Sequence, residues 1–182
     1  MKKIIAINGP RGVGKDSVLA ELLKRYPDQF TRILTYCSRE PRPGEIHGKT
    51  YNFVDNKTFQ DKLESGDIFE YTQYQNTYRG MSKSIIDDIL KTGKIAIGHP
   101  DVIGLRALRS IYPDIVLGIF LTIDKGLLQK RLESIRAHDI QARLEDYETS
   151  CGYAKEFDVV ISNDGTLEEL VTKVYNIIKE NI

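Results

Sequence analysis

The fold of this chain is decided by the stretch Ile4-Ile5-Ala6-Ile7-Asn8-Gly9-Pro10-Arg11-Gly12-Val13-Gly14-Lys15. Its first four residues are apolar and run into an Asn-Gly-Pro turn signal, which predicts a short buried strand. After Lys15, apolar residues recur at helical spacing until Pro27, which cannot continue a helix. A strand, a glycine-rich turn and a helix in this order predict an α/β protein with a parallel sheet.

The turn itself matches the pattern G-x-x-x-x-G-K. Glycines let the backbone curl so that successive N–H groups point at phosphate oxygens, and the helix N-terminus adds partial positive charge. A turn that binds nothing is the alternative, which the position of the motif between strand and helix disfavours. The motif therefore predicts a P-loop NTPase fold that binds ATP. The predicted ATP-binding residues in this region are Gly9, Arg11, Gly12, Val13, Gly14, Lys15, Asp16 and Ser17.

One residue departs from the usual pattern of such a loop. Asp16 follows Lys15, where a serine or threonine normally gives its hydroxyl to Mg²⁺. A carboxylate is also a hard oxygen ligand for Mg²⁺. Ser17 is the alternative ligand, but one residue of helix turns its side chain about 100° away. Asp16 is therefore the predicted ligand of a magnesium ion that binds with ATP.

The remaining sequence continues the alternation of strands and helices, which predicts a parallel sheet flanked by helices. Further strands are predicted over residues 30–36, 94–99, 115–122 and 159–161. Further helices are predicted over residues 82–91, 101–112, 125–155 with a break near 137–139, and 166–179.

The stretch from Arg39 to Tyr78 is different, because its predicted strands over 51–54 and 68–74 are short and polar, with a helix over 57–65 between them. It is predicted to form a small inserted lobe over the mouth of the sheet. The chain is thus interpreted as a single domain of three parts. These are a core of residues 1–35, 82–124 and 157–182, an acceptor-binding lobe of residues 36–81, and a short helical lid of about residues 125–156.

Composition narrows the class of protein. The 182 residues carry 26 Lys plus Arg and 26 Asp plus Glu, a balance that predicts neither a nucleic-acid nor a membrane partner. The apolar start is too short for a signal sequence or a membrane span, and the two cysteines stand in no metal-binding spacing. We expect a cytoplasmic protein, monomeric or homodimeric, whose partners are small-molecule nucleotides.

A phosphate-binding segment is predicted at Ser38-Arg39-Glu40-Pro41-Arg42-Pro43-Gly44. Its two arginines stand three residues apart on a backbone stiffened by prolines, and guanidinium forks match the geometry of a phosphate monoester. Tyr51 follows with a hydroxyl that could complete the clamp. On these residues alone, a solvated charged loop is an equal alternative.

Two carboxylates are candidates for reading a base. Glu70 stands among apolar and aromatic neighbours, and its carboxylate could accept the adjacent N1–H and N2–H donors of guanine, whereas adenine presents an acceptor at N1. Asp101 could supply a second acceptor. The alternatives are a surface position for Glu70 and a helix cap for Asp101.

Taken together, these residues resemble the guanylate kinases over nearly the whole chain. The resemblance is closest in the segment from Ser38 to Val54, which is similar to the acceptor-binding segment of that family almost residue for residue. It implies a core parallel sheet, a nucleoside-monophosphate lobe and a mobile lid.

The resemblance also implies roles for individual residues. It implies that Arg39, Arg42 and Tyr51 hold the acceptor phosphate. It implies that Thr35, Glu70 and Asp101 contact guanine. It implies that Arg131 and Arg143 bring lid arginines onto the transferring phosphate, with Arg136 nearby, and that Asn163 and Asp164 lie near the donor adenine.

Several departures from the family pattern fall at functional positions. The Tyr-Tyr-Gly-[Ser/Thr] run of the family is Tyr78-Arg79-Gly80-Met81 here. Tyr78 and Arg79 are both predicted to bind the acceptor, because an arginine can still hold a phosphate. Met81 has no hydroxyl for the guanine carbonyl, and Ser82 is a possible substitute donor.

A further departure concerns the metal. The Asp-x-Asp of the family is His99-Pro100-Asp101 here, so its first carboxylate is missing. We hypothesise that Asp16 supplies the metal-facing negative charge that the residue at His99 no longer provides. The run Gly14-Lys15-Asp16-Ser17 also resembles ribose 1,5-bisphosphate phosphokinases, which share the core.

These observations predict the ATP-dependent phosphorylation of a nucleoside monophosphate, with GMP and dGMP as the preferred acceptors and Mg²⁺ as the cofactor. The predicted catalytic residues are Lys15, Arg39, Arg131, Arg136 and Arg143. Two alternatives stay open. One is a kinase of the same build with another phosphorylated acceptor, such as ribose 1,5-bisphosphate. The other is a guanylate-kinase-like binding module without catalysis, which the intact phosphate loop disfavours.

Overall fold

The structure is a computed structural model that describes residues 1–182. Its elements in chain order are β1 (Ile4–Asn8), α1 (Lys15–Arg25), β2 (Phe30–Arg32), β3 (Tyr36–Cys37), β4 (Asn52–Phe53), α2 (Asn56–Glu64), β5 (Ile68–Tyr74), β6 (Thr77–Ser82), α3 (Lys83–Lys91), β7 (Ile95–Gly98), α4 (Val102–Ile111), β8 (Val116–Thr122), α5 (Lys125–Ser134), α6 (Ile140–Gly152), β9 (Val159–Ser162) and α7 (Leu167–Asn181). They form two sheets.

The first sheet has five strands in the order β2-β7-β1-β8-β9, and every neighbouring pair is parallel. Successive residues of a strand face opposite sides of a sheet. Ile5 and Ile7 of β1 accordingly pack into a hydrophobic cluster with α1, α5 and α7. Ile4 and Ala6 pack into a second cluster with α3 and α4. The predicted parallel sheet flanked by helices is confirmed, and it is buried on both faces.

The second sheet has four strands in the order β4-β3-β6-β5. Strands β6 and β5, at one side of this sheet, form an antiparallel hairpin that turns at Gln75 with a φ of 52°. Helix α2 covers one face, where Phe59 is fully buried and stacks on Tyr78 at 5.4 Å between ring centroids. This sheet therefore rests on a small aromatic core of its own.

The expected strand over residues 30–36 is wrong as a single element, because the chain changes sheets inside it. β2 ends at Arg32 in the first sheet, where Ile33 N still donates to Ile97 O at 2.8 Å. β3 begins at Tyr36 in the second sheet, next to Thr35 O, which accepts from Asn52 N at 2.9 Å. A continuous run of strand-forming residues carries no local signal of which partner strand each residue will meet.

Most helices begin and end close to the predicted residues. Helix α1 has the predicted bounds, and Ser82, Asp101 and Thr166 are the N-caps of α3, α4 and α7. The predicted break in the long helical stretch lies between Ser134 and Ile140. No helix combines the length and the apolar character that a membrane span requires.

One glycine of the first turn is fixed by both backbone conformation and space. Gly9 has a φ of +147°, and a Cβ there would lie 2.2 Å from Leu121 O. We expect Gly9→Ala to lower the free energy of unfolding by about 3 kcal/mol, because strain and a backbone clash add. Urea denaturation followed by circular dichroism measures this.

Gly93→Ala is the matched control for that substitution. Gly93 also has a positive φ of +80°, but a Cβ there would meet nothing within 4 Å. Only strain remains, so the expected loss is about 1 kcal/mol. Equal losses in the two variants would contradict the clash at Gly9.

Candidate active site

The phosphate loop, residues 9–15, curls between β1 and α1 on glycines with left-handed backbone. Gly12 and Gly14 have φ values of 94° and 106°. The Lys15 ammonium donates to Gly9 O at 2.6 Å and to Pro10 O at 3.0 Å, so it lies along the loop. Lys15 is thus held at the place where the loop would receive a phosphate.

The charge of Lys15 is sensitive to its surroundings. Burial lowers the pKa of this ammonium to about 8, against the opposing influence of Asp16. A neighbouring phosphate would favour the charged form and raise the pKa again. Binding of an anion at this loop is therefore coupled to the uptake of a proton.

The loop is supported from the end of β9. Asn163 is buried, and its Nδ2 donates to Val13 O at 2.6 Å. A Cβ on Gly14 would lie only 3.2 Å from the same amide nitrogen. The neighbouring Asp164 accepts a hydrogen bond from Ser162 Oγ. Asn163 therefore fixes the shape of the phosphate loop.

A cavity of about 360 Å³ opens beside the loop. Arg131 lies in it and donates to Gly165 O at 3.0 Å. The lining residues are Gly12, Val13, Gly14, Ser17, Arg131, Leu132, Ser134, Ile135, Asn163, Gly165 and Leu167. Of the predicted ATP-binding residues, the structure thus brings part of the phosphate loop, Ser17 and Asn163 together here.

The other two predicted lid arginines lie in the neighbouring turn and helix. Arg136 is exposed in the turn after α5, with a φ of 49°. Arg143 on α6 is partly buried, and its Nε has no hydrogen-bond partner. Neither of them lines the cavity that Arg131 lines, and the catalytic role of the three arginines stays a prediction.

A second cleft lies between the two sheets and has a volume of about 220 Å³. One wall is formed where β2 and β7, neighbouring parallel strands, reach their carboxyl ends. Ligands of parallel α/β sheets bind at this edge. The lining residues are Arg32, Ile33, Thr35, Thr50, Tyr51, Glu70, Thr72, Arg79, Gly80, Met81, Gly98, His99, Pro100 and Asp101. Thr35, Tyr51, Glu70, Arg79 and Asp101, all predicted acceptor-binding residues, are therefore together in it.

Two carboxylates, those of Glu70 and Asp101, line this cleft. Burial raises the pKa of Glu70 to about 7, and the charge of Asp101 raises it further in the same direction. Asp101 Oδ1 accepts from Gly104 N at 2.8 Å and caps α4. Asp101 is thus a helix cap and a lining residue at once. The pair presents a negative, hydrogen-bond-accepting surface to any ligand.

The predicted phosphate clamp is partly assembled. The Arg79 guanidinium lies over the Tyr51 ring, 5.0 Å from its centroid. Arg39 lies 5.9 Å from the same centroid, but its fork is held by Glu45 at 2.6 and 2.8 Å. Glu45 also accepts from Arg42 N at 2.8 Å, and these bonds, first of all that from Arg39, lower the pKa of Glu45 to about 2. Arg39 and Arg42 lie outside the cleft lining.

The prediction that Tyr78 binds the acceptor finds no support in its position. Successive residues of β6 face opposite sides, so Arg79 lines the cleft while Tyr78 stacks on Phe59 beneath α2. The prediction that Ser82 could supply the hydroxyl that Met81 lacks is wrong. Its side chain is fully buried and bonded to Asp67 at 2.8 Å, and it caps α3.

His99 stands between the cleft and the phosphate loop. Its Nε2 lies 3.3 Å from Asp16 Oδ1 and 3.4 Å from an Arg32 guanidinium nitrogen. Burial lowers the pKa of His99 against the opposing charge of Asp16, and the charge of Arg32 acts in the same direction as burial. Asp16 and the position of the missing family carboxylate are therefore adjacent in space, as the compensation hypothesis requires.

Sequence reasoning missed Arg32, Thr50 and Thr72 as cleft residues. The available signal was the position of Arg32, the last residue of β2, because the carboxyl ends of parallel strands carry ligand contacts. The two threonines carry no comparable signal.

The comparisons with known proteins agree with this geometry. Over residues 1–181 the sequence matches the family model described as guanylate kinase. It is 35% identical over 181 residues to the guanylate kinase of Chlamydia felis, covering 97% of this chain and 85% of that protein. It is 30% identical over 166 residues to the guanylate kinase of Trichormus variabilis, covering 89% of this chain and 82% of that protein.

The fold is similar to that of a solved relative. The crystal structure of guanylate kinase from Anaplasma phagocytophilum matches with a TM-score of 0.75 and 22% sequence identity, covering 100% of this chain and 87% of that chain. At this identity the likeness concerns the fold, and it confirms the predicted P-loop NTPase architecture.

Proposed function

The chain belongs to the guanylate kinase family, and we propose that it transfers the γ-phosphate of ATP to GMP or dGMP. The observation that carries this proposal is the cleft in which Glu70 and Asp101 lie together, next to the phosphate loop. Two carboxylate acceptors complement the N1–H and N2–H donors of guanine and would repel the acceptor edge of adenine. The relatives named guanylate kinase support the same acceptor.

The proposed mechanism needs positioning and charge rather than covalent chemistry. Phosphoryl transfer between nucleotides is catalysed chiefly by in-line placement and by neutralising charge on the phosphoryl oxygens. Lys15 would neutralise the donor phosphates, while Arg79, Tyr51 and Arg39 would hold the acceptor phosphate. Because an attacking phosphate oxygen is already anionic, no general base is required.

Closure would bring further cations to the reaction. We propose that Arg131, Arg136 and Arg143 of α5, α6 and the turn between them act as a lid on the transferring phosphate. The second sheet would act as the acceptor-binding lobe. Such closure excludes water and prevents hydrolysis of ATP.

Magnesium fits the donor set at the phosphate loop. The Asp16 side chain is 83% exposed beside Lys15, and its carboxylate is a hard oxygen ligand. No group of three or more His, Cys, Asp or Glu side chains could hold a metal alone, so Mg²⁺ would be held jointly with phosphate oxygens. Bound there, the ion would neutralise charge on the donor phosphates.

A second acceptor class is favoured by one observation. Arg32 and Arg79 line the cleft, and Met81, which is 4% exposed, gives no hydroxyl to a guanine carbonyl. An acceptor with two phosphate groups, such as ribose 1,5-bisphosphate, would match these cations. A binding module without catalysis is disfavoured by the intact loop and Lys15.

One assay separates these functions. ADP release with Mg-ATP is measured against GMP, dGMP, AMP, UMP, CMP, dTMP and ribose 1,5-bisphosphate. Turnover confined to GMP and dGMP supports the proposal. Turnover with ribose 1,5-bisphosphate supports the second acceptor class, and no turnover with any acceptor supports the binding module.

The pH dependence of GMP binding is the first prediction for this site. Only the ionised carboxylate of Glu70 accepts both guanine donors, and its pKa is about 7 before binding. Affinity for GMP is therefore expected to be full above pH 8 and to fall by up to about tenfold for each unit below pH 7. Calorimetry at pH 7 should show the release of about half a proton per GMP bound.

Glu70→Gln is the control for this pH dependence, because the phosphate of GMP also titrates near pH 6. The variant removes the Glu70 contribution and leaves that of the phosphate. The same proton release in both proteins at pH 7 would contradict the assignment to Glu70.

The metal hypothesis gives a second prediction. We expect Asp16→Ser to raise the Mg²⁺ concentration for half-maximal turnover by about tenfold, because a charged ligand is lost. Adding His99→Asp in the same chain should restore it, since the carboxylate returns from the adjacent position. Titration of turnover with Mg²⁺ measures both, with the exposed Asp28→Ser as the control. An unchanged Mg²⁺ requirement in Asp16→Ser would rule the hypothesis out.

A further inference from the structure

One nitrogen atom is shared by two partners on opposite sides of the site. His99 Nε2 lies 3.3 Å from Asp16 Oδ1, beside the phosphate loop, and 3.4 Å from the Arg32 guanidinium, which lines the cleft. His99 is also a lining residue of the cleft. It is therefore the side chain that joins the two substrate sites directly.

The two contacts exclude each other in a neutral imidazole. A protonated Nε2 donates to the Asp16 carboxylate and cannot accept from Arg32. An unprotonated Nε2 accepts from Arg32 and presents its lone pair to the negative Asp16 oxygen. The ring thus has two tautomers with different partners, and each tautomer leaves one charged side chain unbound.

Both partners have capacity left for a ligand. Asp16 is 83% exposed, and only its Oδ1 contacts His99, so Oδ2 stays available to a ligand. Arg32 makes no salt bridge, and its guanidinium lies in the wall of the cleft. Lys15 is the other cation near the ring, and it lies on the loop side.

We propose that His99 is a positioning residue that couples binding of the acceptor to binding of the donor through its choice between Arg32 and Asp16. The proposal rests on the function proposed above. When an acceptor phosphate binds the Arg32 guanidinium, Arg32 no longer donates to Nε2. The protonated Nε2 can then donate to Asp16. A donor complex that engages Asp16 Oδ2 favours the same tautomer, because the N–H of a neighbouring histidine orients a ligating carboxylate.

The two substrates therefore favour one state and bind with positive cooperativity. A ligand shifts a two-state equilibrium only through its different affinity for the two states, and the coupling is reciprocal. Because the Asp16 side chain is 83% exposed and screened by solvent, the difference here is about one hydrogen bond of ordinary strength. We expect this part of the coupling to be about threefold to tenfold in dissociation constant.

Calorimetry tests the coupling without turnover. The dissociation constant of GMP is measured with and without the magnesium complex of a non-hydrolysable ATP analogue, at pH 8. The coupling is the dissociation constant without the analogue divided by the constant with it. This ratio is expected to be threefold to tenfold smaller in His99→Ala and in Arg32→Gln than in the wild type, with no further decrease in the double variant. Arg106→Gln, which breaks a surface pair with Glu156, is the control and should keep the wild-type ratio.

Nitrogen NMR of the histidine rings gives a second readout on the wild-type protein. Only three histidines are present, and the His99 signals are assigned by their loss in His99→Ala. Addition of GMP is expected to increase the fraction of the Nε2–H tautomer. An unchanged tautomer fraction, or an unchanged calorimetric ratio in both variants, overturns the proposal. Absence of GMP binding to the wild-type protein would instead contradict the proposed function.

Discussion

Replacement of Lys15 by methionine is expected to lower kcat by about 10³-fold while the dissociation constant of GMP stays within about twofold. Lys15 is the cation held on the phosphate loop, 2.6 Å from Gly9 O and 3.0 Å from Pro10 O. Methionine keeps a side chain of similar length without the charge. The charge that builds on the transferring phosphoryl group would then lose its nearest protein cation. Steady-state kinetics with Mg-ATP and GMP measure the loss.

Lys15→Arg and a stability measurement accompany this variant. Arginine keeps the charge but not the compact shape of an ammonium, so its turnover should lie between the wild type and Lys15→Met. The free energy of unfolding of Lys15→Met should differ little from that of the wild type. The two hydrogen bonds of Lys15 stabilise the fold and its desolvated charge destabilises it, and this variant loses both together. Turnover of Lys15→Met within tenfold of the wild type would contradict the assigned role.

The second large effect is expected in Glu70→Gln, whose KM for GMP should rise about 10²-fold at pH 8. Glutamine has the shape of glutamate, but its NH₂ group would face the N–H donors of guanine. A buried donor opposite a donor leaves both without a partner. Turnover at saturating GMP should fall less than the affinity does, because Glu70 is proposed to contact the base and not the reacting phosphate. Kinetics over a range of GMP concentrations separate the two.

The pH adds a sharper form of this test. Protonated Glu70, like glutamine, has one acceptor fewer than the carboxylate. The KM for GMP of Glu70→Gln divided by that of the wild type should therefore decrease as the pH falls from 8 to 6. Glu64→Gln on the exposed side of α2 is the matched control and should behave like the wild type. An equal ratio at both pH values would show that Glu70 does not bind GMP through its ionised form.

The sequence was sufficient for the elements that carry their own boundaries. Helix α1 begins at the phosphate motif and ends before Pro27, and both signals are local. The family resemblance gave Glu70, Asp101, Thr35 and Arg79, and the structure places all of them in one cleft. Local capping chemistry likewise predicted the start of α4 at Asp101.

Features that depend on partners distant in sequence could not be predicted. Strand β6, Thr-Tyr-Arg-Gly-Met-Ser, has no clear alternation of apolar residues, and only its pairing with β5 and β3 makes it a strand. The strand register then decides that Arg79 faces the cleft and Tyr78 does not. Arg32 belongs to the site because the chain changes sheets directly after it, and no local pattern shows that change.

That change of sheet has a thermodynamic consequence for the second sheet. The chain enters this sheet through residues 33–35 and leaves it at Ser82, and few large side chains, Phe59 and Ile68 among them, are fully buried beneath it. A unit with so small a core opens at a lower free energy than the five-stranded sheet, so its amide protons should exchange with solvent first. In the proposed mechanism GMP binds only the closed unit. Each tenfold rise in GMP above its dissociation constant would then stabilise the closed unit by about a further 1.4 kcal/mol. The concentration of GMP would thus set the fraction of molecules in which the second sheet is open, while the five-stranded sheet stays folded.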